Sequence, residues 1–161
     1  MSDEQIKVAE FHQKFKHPVN VGRPKPLSTT RGELRYRMIE EELDEFGSAL
    51  NTDDLVEQYD ALLDLAYLAI GGIVELGLNF SDGFDEVHRS NMSKKGIGPT
   101  GKIEKGDKYF KPNLKRIVDN AIELSDWNKR IGAPESDIRD VFGGVTFERP
   151  SIVPNGDHDN A

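Results

Sequence analysis

An all-α fold is what the sequence predicts, and three observations predict it. Apolar residues recur at helical spacing in successive segments. Those segments are punctuated by capping Ser, Thr, Asn or Asp residues and by Gly or Pro stops. There is no internal repeat, and no two stretches read as paired strands.

The bulk properties bound what such a fold could do. At 161 residues the chain is long enough for one buried core. Residues 1–132 read as a single all-α domain and 133–161, with Gly143-Gly144, Pro150 and Pro154, as an irregular C-terminal arm. A net charge of -8 argues against nucleic-acid or anionic-membrane partners, which want a basic surface. With no cysteine, thiolate zinc sites and disulfides are excluded. Met1-Ser2-Asp3-Glu4 lacks the basic start and apolar run of a signal peptide, so a cytoplasmic location is expected.

The first helix is expected over Ser2 to Phe15, with Val8, Phe11 and Phe15 as its apolar stripe. His17-Pro18 breaks it, and Pro24 and Pro26 keep the next stretch extended to Ser28. A long helix follows from Ser28 to Leu50 on the stripe Ile39, Leu43, Phe46 and Leu50, with Glu42 beside that stripe and Glu45 and Glu41 further round. Asn51 or Thr52 should cap a third helix from about Asp53 to Leu76, closed by Gly77. That helix is apolar nearly all round, the pattern of a buried element, yet Glu57, Asp60 and Asp64 form a narrow acidic stripe along it. Ser81 should cap a fourth helix carrying Phe84, Val87, His88 and Asn91, followed by a Gly-rich loop with six lysines between Lys94 and Lys111. Leu114, Ile117, Val118, Ala121 and Leu124 suggest a last helix ending near Gly132.

The acids carry the chemistry. Two helices joined by a tight turn pack antiparallel, so a turn centred near Asn51 sets Glu45 opposite Glu57 and Glu42 opposite Asp60. Converging carboxylates repel one another and are tolerated when protonated, salt-bridged or neutralised by a metal. The second of these helices has no Lys or Arg. Hard oxygen ligands without His or Cys select magnesium or manganese over zinc, with Glu42, Glu45, Glu57 and Asp60 as ligands and Asp64 as a further ligand or a supporting group. Such a site suits phosphate chemistry, and Lys94, Lys102 and Lys105 would supply the cations that the net charge denies elsewhere. Phe11, Phe15, His88 and Asn91 are candidates for stacking on or hydrogen-bonding a base.

Glu41-Glu42-x-x-Glu45 followed by Glu57-x-x-Asp60 resembles the signature of the MazG-like all-α NTP pyrophosphohydrolases, a superfamily that includes dimeric dUTPases and phosphoribosyl-ATP pyrophosphohydrolase. Val87-His88-Arg89-Ser90-Asn91-Met92-Ser93-Lys94, with Gly101-Lys102-x-x-Lys105-Gly106 and Tyr109-Phe110-x-Pro112, resembles a second block of the phage and bacterial branch, as does Phe11-His12-x-Lys14-Phe15-x-His17-Pro18. The resemblance implies a four-helix-bundle-like core in a homodimer or homotetramer, with sites completed by neighbouring subunits. It also implies cleavage of a nucleoside triphosphate between its α- and β-phosphates, with more than one magnesium ion per site and manganese as a substitute. Carried over, Glu42, Glu45, Glu57 and Asp60 bind metal, while Glu41 is an extra ligand or the base that orients water. Asn91, Lys94, Lys102 and Lys105 contact phosphate or sugar. Asp64 leaves the metal register open by one turn. Phage members similar to this chain include guanine-preferring ones, so dGTP or GTP is the expected substrate, acted on in the host cytoplasm for a phage-encoded chain. Hydrolysis of dUTP or phosphoribosyl-ATP is the sibling alternative, and a non-catalytic oligomerisation or nucleotide-sensing module is the alternative of another class.

Overall fold

Five helices account for nearly all regular structure in the computed structural model, which describes residues 2–132. The all-α expectation holds. The expected arm at 133–161 lies outside the described residues.

Local chemistry sets each boundary. Ser2 caps α1 (Asp3–Lys14) by accepting from the Gln5 amide, and Asp3 and Glu4 in the first turn complement the helix dipole. Ser28 caps α2 (Thr29–Thr52). Asp53, in the left-handed region at φ 56, ends it, a conformation that a short polar side chain tolerates. The cap of α3 (Leu55–Leu76) is Asp54, whose carboxylate accepts from Val56 and Glu57 amides, instead of Asn51 or Thr52. Asp54 wins because the turn falls later than Asn51, leaving the two earlier residues inside α2. Gly77 closes α3 at φ 75. Asn79, not Ser81, caps α4 (Phe80–Met92), and Asn113 caps α5 (Leu114–Arg130). Between α4 and α5 lies a feature absent from the sequence reading: β1 (Gly96–Ile97) and β2 (Ile103–Glu104) pair antiparallel, Gly96 opposite Glu104. Two residues per strand are too short for an alternating pattern to register.

The extensive helix contacts are α2 with α3, α1 with α3, and α4 with α5. Val8, Ala9, Ile70 and Val74 form the core, with Val19, Val21, Tyr67 and Phe80 packed on it. The proline-containing linker runs across the end of α3, where the amides of Asn20 and Lys25 donate to the carbonyls of Val74 and Leu76. Val74 O also accepts from the Gly77 cap amide, and Leu76 O, in the last turn where helical donors run out, takes the Asn20 side-chain amide as well. Buried Gln5 bridges the α3–α4 corner, donating to Leu78 O and accepting from the Phe80 amide. Across that corner the helices bend by 117°.

Burial departs from the sequence reading in an informative way. On α1 the buried face is Gln5, Val8, Ala9 and His12, while Phe11 and Phe15 are exposed. The polar Gln5 and His12 go inside because each finds hydrogen-bond partners there. On α2 the expected stripe is uncovered, with Leu43 56% exposed. Nor is α3 buried all round: Leu55 is 78% exposed, and Val56, Tyr59, Leu62 and Leu63 are exposed as well. The outer half of the α2–α3 hairpin is therefore apolar surface in a single chain. No single helix among the described residues is long and apolar enough to cross a membrane.

Candidate active site

The site is built on the α2–α3 hairpin. Glu41, Glu42 and Glu45 project from α2, and Glu57, Asp60 and Asp64 from α3. Glu42 is partly buried and the other five are exposed. Burial first, then the charges of Glu45, Asp64, Glu41 and Asp60 in that order, raise the carboxyl of Glu42 above its ordinary range. Four acids from two helices are thus close enough to feel one another at Glu42. Glu57, nearest the turn, is not among the charges acting on Glu42. With the turn at Asp53–Asp54, the partner facing Glu42 moves from Asp60 toward Asp64, so the later register draws in the acid that the signature alone leaves open. No ion pair among the described residues involves any of these six acids.

Their chemistry fits a hard divalent cation: several carboxylates, no competing Lys or Arg on α3, and a raised carboxyl at the centre. Among the described residues, no three of their oxygens lie within 4.8 Å of one another, so binding a shared ion requires these exposed side chains to rotate inward. One trio does meet that spacing: His12, His17 and Glu75. Two of the three, His12 and Glu75, have their atoms committed elsewhere. His12 Nδ1 donates to Pro18 O at 2.8 Å, and its Nε2 accepts from Arg35 Nη2 at 2.8 Å. Glu75 receives Arg31 Nε at 3.0 Å and Arg31 Nη2 at 2.6 Å, and Arg35 Nε and Nη2 at 3.0 and 2.6 Å. Two guanidinium groups beside Glu75 would repel a divalent cation, and they tie His12 and Glu75 into a structural network.

The aromatic candidates fall beside the acids. Phe11 packs against Phe15 with the rings tilted, centroids 4.7 Å apart, and meets Tyr67 edge-on at 5.5 Å. Tyr67 lies one turn beyond Asp64 on α3, so an exposed aromatic corner adjoins the acidic stripe. Tyr67 itself is half-buried and packs on the core. His88 and Asn91 are exposed on α4, and Lys94, Lys102 and Lys105 lie in the segment around the β1–β2 hairpin. No hydrogen bond or ion pair among the described residues joins those lysines to the acids of α2 or α3. The structure groups the acids around Glu42, sets Phe11 against Tyr67 one turn along α3 from Asp64, and leaves the lysine segment with α4.

A model of the phosphoribosyl-ATP pyrophosphohydrolase family matches residues 8–91. The chain belongs to that family. The family lies within the MazG-like all-α superfamily, and its members are metal-dependent nucleotide pyrophosphohydrolases, acting on phosphoanhydride bonds. The match runs from within α1 to the last turn of α4 and takes in every acid of the hairpin, while the lysine hairpin and α5 lie beyond it. Comparison with curated proteins finds no match.

Proposed function

We propose that the chain hydrolyses a (deoxy)nucleoside triphosphate, dGTP or GTP first among them, to the monophosphate and pyrophosphate. The observation that carries this reading is the group of carboxylates around Glu42, in no ion pair among the described residues, in a member of a pyrophosphohydrolase family. Glu42, Glu45, Asp60 and Asp64, with Glu57 toward the turn, would hold magnesium or manganese, which neutralises phosphate charge and makes a bound water more acidic. Glu41, on the exposed flank, orients the attacking water and takes its proton. Water adds to phosphorus as the bond to the bridging oxygen breaks, and the departing pyrophosphate carries the electron pair. Lys94, Lys102 and Lys105 receive the phosphates, with Asn91 and His88 toward the sugar and base. Phe11 and Phe15 offer exposed ring faces for stacking.

The exposed Leu43, Leu50, Leu55, Val56, Leu62 and Leu63 support a homodimer or a homotetramer. They lie on the same two helices as the acids, so a neighbouring copy seated there would bring its lysine segment to the acids that its own chain does not reach. Hydrolysis of phosphoribosyl-ATP is the second reading, favoured by the family match itself.

A panel of the eight common ribo- and deoxyribonucleoside triphosphates plus phosphoribosyl-ATP, with magnesium or manganese, separates the readings. A guanine triphosphate converted to monophosphate and pyrophosphate supports the first. Turnover confined to phosphoribosyl-ATP supports the second, and orthophosphate as sole inorganic product would refute α,β-cleavage.

A further inference from the structure

The buried face of α4 is polar, and nothing in the acidic site accounts for it. Glu86 and Ser90, one turn apart, are the buried residues of that helix. Glu86 accepts from the Asn113 amide at 2.6 Å and from Arg89 at 2.8 and 2.9 Å. Arg89 in turn lies 4.2 Å from the centre of the Phe110 ring. Ser90 Oγ donates to Phe110 O at 2.8 Å, and Ser93 Oγ accepts from the Phe110 amide at 3.2 Å. Apart from the Glu86–Arg89 pair, which lies within α4, each of these contacts reaches the chain as it returns from the lysine segment, at Phe110 or Asn113.

The same segment is pinned within itself. The Lys95 amide donates to Glu104 O, the Gly98 amide to Lys102 O, and Lys105 Nζ sits 4.8 Å from the centre of the Tyr109 ring. Six lysines against Glu104 and Asp107 make it strongly basic in an acidic protein. A mobile lysine loop would lose much of its freedom on binding an anion, and fixing both its ends beforehand lowers that cost.

We infer that Glu86 and Ser90 are positioning residues that clamp the lysine segment onto α4 in the shape that receives the polyphosphate. This inference rests on the proposed phosphate role of Lys94, Lys102 and Lys105. Neither Glu86 nor Ser90 touches substrate. They act through the backbone of Phe110 and Asn113.

The test compares wild type, Glu86→Ala, Glu86→Gln and Ser90→Ala by triphosphate kinetics, calorimetric binding of inorganic tripolyphosphate, and amide exchange at Phe110 and Asn113. Glu86→Ala should raise KM and weaken tripolyphosphate by about tenfold with kcat within about twofold, the signature of lost preorganisation. Exchange should rise at Phe110 and Asn113 and stay unchanged in α1 to α3. Glu86→Gln keeps an acceptor for the Asn113 amide and should recover part of the loss. Ser90→Ala, which removes one hydroxyl and should fold whatever becomes of Glu86→Ala, should show the same split at about threefold. Faster exchange with unchanged KM and tripolyphosphate affinity would overturn the inference alone, as would a fall in kcat at constant KM. A wild type that neither turns over triphosphates nor binds tripolyphosphate would bring down the proposed function and this inference together.

Discussion

Glu42 and Glu75 are the same residue type on adjacent helices, and their surroundings move them in opposite directions. Burial is the largest influence on each and would raise both carboxyls. At Glu75 the hydrogen bonds and charges of Arg31 and Arg35 outweigh it and hold the group below its ordinary value, whereas at Glu42 four neighbouring acids add to it. Glu75 is held by two guanidinium groups, whereas Glu42 is in no ion pair among the described residues. Glu75→Ala leaves Arg35 buried and unmatched, so it should cost about 3 kcal/mol or more in denaturant unfolding. Gly71 belongs to the same network: a Cβ there would lie 2.7 Å from Arg35 Nη1 and 3.0 Å from His12 Nε2. Replacing it by Ala gains about 1 kcal/mol of helix propensity but crowds a guanidinium fixed by its hydrogen bonds, so a net loss of about 1–2 kcal/mol is expected. His12 gives the network its pH dependence. Burial, reinforced by the Arg35 charge, outweighs the Pro18 hydrogen bond and lowers its pKa below 6.5. The unfolded chain therefore takes up a proton first as pH falls. Stability should be full above about pH 6.5 and decline as pH drops from there toward the lower folded value, a slope that thermal melts of His12→Asn should lack.

At the scale of elements, the α2–α3 hairpin was legible because periodicity and capping residues agree, and its register was not. Four polar residues in a row, Asn51 to Asp54, each make a plausible cap, and only the tertiary fit selects Asp54. Asp54→Ala should cost about 1 kcal/mol, while Thr52→Ala should stay within about 0.5 kcal/mol, as chemical denaturation can show. That small shift of the turn carries Asp64 into the acidic group, so the outer limit of the site depended on it. The arginine–glutamate network was missed for a different reason. Arg31 and Arg35 share a face of α2, which marks a patterned pair, but their acceptor lies 40 residues beyond Arg35 and nothing local points to it. On α4 the Glu86-x-x-Arg89 spacing was a visible cue to a local ion pair, though not to the segment it holds. Glu86 is drawn down to about 2 by Arg89 and the Asn113 amide, so its carboxylate stays charged at neutral pH.

The whole molecule shows why acids on an apolar helix do not by themselves imply a buried site. In one chain the outer half of α3 faces outward with its leucines, and the acids share that exposure. Under the proposed function this apolar surface is where a second copy would seat. Leu63→Glu, which puts a charge amid it, should shift light-scattering mass toward the monomer and lower turnover with it. The central claim, that the unpaired acids of the hairpin are the catalytic centre of a pyrophosphohydrolase, is tested most directly by pyrophosphate release from guanine triphosphate in wild type, Glu42→Gln and Asp64→Asn, with melting temperature recorded on the same samples. The account predicts one pyrophosphate per monophosphate from wild type, turnover at least about 100-fold lower in both variants, and melting temperatures equal or higher as repulsion is relieved. Variants that keep wild-type turnover would contradict it, as would variants that lose activity only because they unfold.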